Sequence, residues 1–421
     1  MGNNACCESP SNLNNKNQEK PENKHRETVP QENYQPQQRQ NQSQSQTKQT
    51  HIKTLEEKIT PTPNPEEQLI EEPIAPQNKG PTSLGSSVKN SDNTGERISQ
   101  VSSLKNKKSK GTQFSKAKIN KFQMVRSINA HDKIIVCIIE LSNKLIATGS
   151  YDNTIKIWNI SNEYMEKEIP EEGKVFSLLE FEENVILSAI DKTPDDIQEI
   201  SQIKQKDIVI HCFDLKNSSV KSVFELTGHQ LRVNCLVKCD DKFFASCSND
   251  CNIIIWDYHF RKEANILQGH HDCVLCMIRL NDGKLCSGGA DMLIKIWDWE
   301  KGDCVANLNG NTHYVKCLCQ LSNGYIISGS HDNLIKIWDD TYQPLDDLIG
   351  HTRSVRSICQ IGTTNYIASG SFDHTIKIWN LDTNKCVQTL TEHGSSIINI
   401  IFHSDGYLVS CSNDKTIKVW K

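Results

Sequence analysis

The chain has 421 residues, 47 basic and 52 acidic side chains, and a formal charge of −5. A balance this mild argues against nucleic-acid binding by the protein as a whole, and no run approaches the ~20 apolar residues of a membrane-spanning helix. The 17 cysteines follow no apolar secretory leader, so they read as thiols in a reducing cytosol, with Cys247, Cys286 and Cys411 as small buried groups.

Up to about residue 120 the sequence is Gln, Asn, Lys, Ser, Pro and Glu, as in QENYQPQQRQNQSQSQTKQT. Apolar residues there are too sparse to offset the entropy of ordering the backbone. Residues 1–120 are therefore expected to form a long disordered N-terminal region, with an r.m.s. span on the order of 60 Å. Its end, residues 101–126, carries Lys and Arg but no acid. The opening MGNNACC resembles an N-myristoylation signal on Gly2, with Cys6 standing where Ser or Thr is usual. Myristate alone anchors weakly, and palmitoylation of Cys6 or Cys7 would add the second signal. The Lys105–Arg126 stretch would add electrostatic contact with anionic lipid, open to weakening by phosphorylation of Ser102, Ser103, Ser109 or Ser115.

From Phe122 onward short β-branched runs alternate with Gly, Asn, Asp and Ser turns. The segments SNDCNIIIWD, GADMLIKIWD, SHDNLIKIWD, SFDHTIKIWN and SNDKTIKVWK place Trp256, Trp297, Trp338, Trp379 and Trp420 at steps of 41 residues, and Asp250, Asp291, Asp332, Asp373 and Asp414 keep that step. An earlier copy, SYDNTIKIWN, supplies Asp152 and Trp158. The gap of 98 residues from Trp158 to Trp256 requires a degenerate copy with an insertion. It is found in ILSAID, a polar segment over 192–206, and DIVIHCFD, where Phe213 takes the tryptophan's place. A histidine opens most copies, namely His131, His229, His270, His351 and His393; Asn311 replaces it in the fifth, and the second has none. Within one copy VNCLVKC, KFFASCS and NIIIWDY are strand-length runs between turns. One small antiparallel sheet cannot bury both faces, whereas sheets stacked around an axis bury them against each other. The expected fold is all-β, a seven-bladed propeller over 122–421 whose last blade takes its outer strand from residues 122–128.

The Gly-His and Trp-Asp signals at this period resemble the WD-repeat (WD40) family. The resemblance implies that the His, a Ser or Thr, the turn Asp and the Trp of each blade form a hydrogen-bonded scaffold set. In blade six that set would be His351, Ser371, Asp373 and Trp379. Blades two and five, lacking the His, are expected to be looser. It also implies partner binding on one face of the ring, through the residue before the turn Asp and the third and fifth residues after the His. In blades five and six these are Tyr314, Lys316, His331, Ser354, Arg356 and Phe372, a set suited to an acidic or phosphorylated peptide. In blades seven, one and two they are Ile398, Val136, Tyr151, Lys174 and Phe176, a more apolar sector.

Nothing in the sequence carries catalysis. Cys273-Val-Leu-Cys276 has CxxC spacing, but on a strand residues three apart point to opposite faces, and no second ligand pair follows at zinc spacing. No phosphate loop, GxSxG or HExxH occurs, so neither metal nor cofactor is expected. The expected function is that of a non-enzymatic scaffold for proteins or peptides, cytoplasmic and peripheral on the cytoplasmic face of a membrane. The alternatives are a substrate receptor of a ubiquitin ligase and a soluble cytosolic adaptor without a tether. A role like that of G-protein β subunits is disfavoured by the lack of N-terminal coiled-coil heptads.

Overall fold

The structure, a computed structural model, describes residues 119–194, 202–217 and 221–421. Gly2, Cys6, Cys7, most of the basic stretch and the middle of the blade-two insertion lie outside the described residues.

Seven four-stranded antiparallel sheets form the seven blades. Blade three shows the pattern: Val233–Lys238 pairs with Phe243–Ser248, which pairs with Asn252–Asp257, which pairs with Lys262–Gln268. Inner strands such as Ile135–Glu140 and Val355–Gln360 bury their first, third and fourth residues, and the second strand is buried throughout in four blades, as in Ile326–Ser330 and Leu408–Ser412. Such strands have no solvent face, which is why they read as small and aliphatic. Core clusters form between neighbours: Ile327, Ile335 and Leu348 of blade five pack with Val355, Ile367 and Trp379 of blade six. Close approach matters here. A Cβ on Gly329 would sit 2.5 Å from the Cys317 sulfur and 2.7 Å from Cγ1 of Val355 in the next blade. Cys247 and Cys411 fill the same register slot in blades three and seven and are fully buried.

The ring is closed by the strand Met124–Asn129, which pairs with Thr416–Trp420. Phe122 is buried beside Trp420 and Leu390, and its backbone exchanges two bonds with the Gln388 amide, of 2.9 and 2.6 Å. Arg126, at the end of the basic stretch, lies in this strand and approaches Glu163 at 3.5 Å. The described ends of the blade-two insertion are pinned. The Lys192 amide donates to the Asp207 carbonyl at 2.8 Å, a short 3-10 turn spans Gln205–Asp207, and Ile203 packs on the core of blades two and three.

Each blade is locked by buried polar groups. In blade six His351 Nδ1 lies 2.7 Å from Asp373 Oδ2, and Nε2 lies 2.7 Å from Ser369 Oγ. The same hydroxyl accepts from Trp379 Nε1–H at 2.8 Å. The serine of the set is therefore Ser369, not Ser371 as the sequence pattern implied. The reason is register: Ser369 faces Lys377 in mid-strand, under the indole, whereas Ser371 sits at the strand end. Its hydroxyl accepts from the Asp373 amide at 3.1 Å and donates to the Arg353 carbonyl at 2.9 Å. Equivalent sets join His131, Thr148, Asp152 and Trp158; His229, Ser246, Asp250 and Trp256; His270, Ser287, Asp291 and Trp297; and His393, Ser410, Asp414 and Trp420.

Blades two and five depart from this in different ways. Blade two rebuilds the set with its partners exchanged: Glu171 stands before the inner strand, where the His would be, and bonds Ser188 and His211 Nδ1, the latter at 2.7 Å. Blade five keeps the Trp338 to Ser328 bond at 2.9 Å, but Thr312 takes the Asp332 carboxylate at 2.6 Å. Asn311 is left 3.4 Å from Ser328, with its amide nitrogen unpaired.

Three outcomes follow. Ile128, buried against Ile417 and Val419, should cost about 2–4 kcal/mol in urea unfolding when changed to Ala, whereas Val125→Ala on the same strand, 47% exposed, should stay within about 0.5 kcal/mol. Ser369→Ala leaves Trp379 Nε1 and His351 Nε2 without a partner and should cost about 2–3 kcal/mol, against about 1 kcal/mol for Ser371→Ala. Burial works against ionisation of Asp373, but bonds from His351, Thr375 and the Thr352 amide hold it well below the carboxylate range. Its contribution is thus complete above about pH 4 and lost as pH falls through the depressed value. Asp373→Asn should flatten that part of the stability profile, read from urea midpoints between pH 6 and pH 2.

Candidate functional site

Every inner strand carries the same irregularity. In blade five Val315 pairs with Ser330 and Cys317 with Gly329, so Lys316 is an extra residue against one partner. The same bulge isolates Val136, Phe176, Asn234, Leu275, Arg356 and Ile398 in the other blades. A bulge leaves one residue unpaired and re-aims its side chain. Beside it, the residue before the turn Asp donates its amide to the carbonyl of the residue before the inner strand: Tyr151 to Ile134, Asn249 to Arg232, Ala290 to Cys273, His331 to Tyr314, Phe372 to Ser354 and Asn413 to Ser396, at 2.8–3.0 Å. In blade two Lys174 and Asp191 are ladder partners. Three positions per blade are thus presented together where the chain enters each inner strand, at one mouth of the central channel.

Cations at these positions lie on aromatic rings at the same positions. Lys174 stands 5.2 Å from the Tyr151 ring centroid, Arg232 4.6 Å from Phe176, Lys316 5.2 Å from Tyr314 and Arg356 5.3 Å from Phe372. Tyr151 and Phe176 themselves meet at 5.2 Å, and His313 lies 4.4 Å from His331, with both rings against Tyr314. Stacking an arginine by its face leaves its in-plane donors for other groups. Arg232 Nε, Arg356 Nε, Ser354 Oγ and both polar atoms of the Asn413 amide are shielded from solvent and have no partner among the described residues. Burial, with Arg356 and Arg232 adding to it, pushes the Lys316 ammonium down to about 7. Burial raises the Tyr151 phenol, while Arg232, Lys174 and Arg356 act against that rise.

The two sectors read from the sequence, Tyr314 to Phe372 and Ile398 to Phe176, line one opening. Ser354 and Ile398 are buried and Lys316 and Arg356 half-buried, whereas His331 is exposed. Arg232 belongs to the same opening and was missed. The signal was present, since Arg232 is the third residue after His229, the position that Ser354 holds after His351 in blade six. Cys273 is half-buried at this mouth, while Cys276 is buried with its sulfur 3.7 Å from the Val315 carbonyl. They do not converge. Among the described residues no group of three or more His, Cys, Asp or Glu could hold a metal.

Three comparisons bear on identity. None of the curated proteins matches this chain. Among solved structures it is similar to one titled "Crystal structure of WD40 beta propeller domain of Doa1", with a TM-score of 0.62 and 22% identity over 72% of this chain and 97% of the other. At that identity the likeness is one of fold. The family model described as "WD domain, G-beta repeat" matches residues 122–159, 220–257, 261–298, 302–339, 342–380 and 384–421. It passes over blade two, the copy with Phe213 for Trp and Glu171 for His. The chain belongs to the WD40 repeat family.

Proposed function

We propose that this protein is a non-enzymatic scaffold that binds an acidic or phosphorylated protein segment at the channel mouth. WD40 propellers bind proteins or peptides, and the fold is generally that of an interaction scaffold. The observation that carries the reading is the set of four cations, each over an aromatic ring, where the chain enters the inner strands. Rings supply apolar contact for a stem and the cations supply its counter-charge. A ubiquitin-ligase substrate receptor is a second reading, favoured by Arg356 at this mouth; ligase subunits among the captured proteins would support it.

The proposal includes a tether: acyl groups on Gly2 and on Cys6 or Cys7, assisted by Lys105–Arg126, hold the protein on a membrane's cytoplasmic face. Two experiments test the parts separately. Affinity capture with the full chain should lose its partners at least tenfold when Tyr314 and Phe372 are both changed to Ala; capture unchanged by these substitutions contradicts the site. In fractionation, wild type should pellet with membranes while Gly2→Ala and Cys6→Ser/Cys7→Ser turn soluble. Equal solubility of all three contradicts the tether.

A further inference from the structure

Four inner strands carry a cysteine directly after the bulge: Cys137, Cys235, Cys276 and Cys317, in blades one, three, four and five. In three of these blades the residue opposite on the second strand is glycine, namely Gly149, Gly288 and Gly329. Space requires it: a Cβ there would lie 2.7, 2.8 and 2.5 Å from the sulfurs of Cys137, Cys276 and Cys317. Blade three departs from this. Opposite Cys235 stands Cys247, which brings both a Cβ and a second sulfur to the place that the sister blades keep empty. The Cys235 sulfur is turned another way. Those of Cys276 and Cys317 lie 3.7 and 3.8 Å from the Val315 and Val355 carbonyls, at the base of the next inner strand. That of Cys235 lies 3.4 Å from the Met277 carbonyl, farther along its neighbour. There it lines a cavity of about 360 Å³ bordered by the inner strands of blades one to four. Cys235 is half-buried, while Cys247 is fully buried behind it.

We infer that Cys235 and Cys247 form a peroxide-sensitive dithiol, a modification site that closes to a disulfide within one blade. Directly opposed residues of an antiparallel pair have Cα atoms about 4.5 or 5.5 Å apart, inside the ~4.4–6.8 Å that a disulfide spans. The backbone thus already holds the two residues at bonding range. The chemistry is divided between them. The Cys247 thiol donates to the Cys235 sulfur and holds Cys235 below the ordinary thiol value, whereas burial and that same partner push Cys247 well above it. Cys235 is therefore the nucleophile and Cys247 the resolving thiol. The Cys235 thiolate takes one oxygen of hydrogen peroxide to become a sulfenic acid. The O–O bond breaks, and hydroxide leaves as water with the proton that Cys235 gave up. The Cys247 sulfur then attacks that of Cys235, the S–O bond breaks, and the Cys247 proton leaves with the oxygen as a second water. Two thiols and one peroxide give one disulfide and two waters, with two electrons passing from sulfur to oxygen. Cys137, Cys276 and Cys317 face glycine and have no resolving thiol at that place. In a reducing compartment such a bond is transient, the behaviour of a sensor rather than a staple.

The test exposes the reduced full-length protein to hydrogen peroxide, quenches it with N-ethylmaleimide in denaturant, and maps the thiols by tryptic digestion and mass spectrometry. Cleavage after Lys238 and Lys242 separates the two cysteines, so the disulfide joins fragments 233–238 and 243–261. That crosslink, with Cys251 of the second fragment alkylated, should form at least tenfold faster than the Cys276 or Cys317 thiol is lost, and dithiothreitol should reverse it. Two substitutions use residue types that blade two holds at these places, where Ser177 faces Ala189, so the blade geometry accepts them. Cys235→Ser should leave Cys247 a thiol throughout. Cys247→Ala should stop Cys235 at the sulfenic acid, captured by dimedone. The inference is overturned if Cys235 and Cys247 both remain alkylatable after the exposed Cys304 and Cys386 have been oxidised. It is equally overturned if Cys235 joins Cys239 or Cys276 instead, or if Cys247 is oxidised as fast in the Cys235→Ser variant.

Discussion

A single buried hydroxyl in each of five blades holds an imidazole and an indole together, and the imidazole in turn holds the turn aspartate. Much else depends on this set. The strands it ties are short, and the middle of the second strand of each blade is buried, so each sheet depends on its neighbours for its stability. Fixing the turn Asp fixes the residue before it, and that residue's amide bond to the base of the inner strand fixes the next. The set is far from the channel in chemistry but adjacent in mechanics. It turns a run of ordinary hairpins into a frame that delivers three side chains per blade to one opening.

The bulge completes that delivery. Without it, alternation would place position 316 or 356 at the interface between blades, where only small or apolar groups fit; a Cβ on Gly329 already collides with Val355. One extra residue per inner strand lets a lysine or arginine stand in a blade whose flanking residues are core. The mouth can therefore vary in charge while the ring remains constant, which is the division a binding scaffold needs. Here the variation runs toward positive charge on aromatic supports, in a chain whose overall charge is −5.

Most of the ring was legible in the sequence because its period is rigid: five Trp residues at a 41-residue step leave one architecture. The closing strand was legible as the strand-length run FQMVRSI just before His131. What escaped depends on register or on exchange of partners. Ser369 and Ser371 alternate along one strand, and only the pairing of Ser369 with Lys377 tells which lies under the indole. In blade two the acid precedes the inner strand and His211 takes the third-strand slot opposite Ser188, so a motif that fixes residue order finds nothing although the chemistry persists. Arg232 needed no structure to find, only the rule applied to a further blade. That it acts together with Arg356, which belongs to blade six, did need one.

In the proposed mode of binding the channel mouth, rather than the outer strands or the N-terminal region, engages the partner. Hydrogen–deuterium exchange of the full chain with and without its captured partner tests it most directly. Binding at the mouth should protect residues 232–234, 314–316, 354–356 and 372, at the entry to the inner strands. Protection confined to outer strands such as Lys262–Gln268 or Lys385–Leu390, or to residues before 119, with the mouth unchanged, would contradict it.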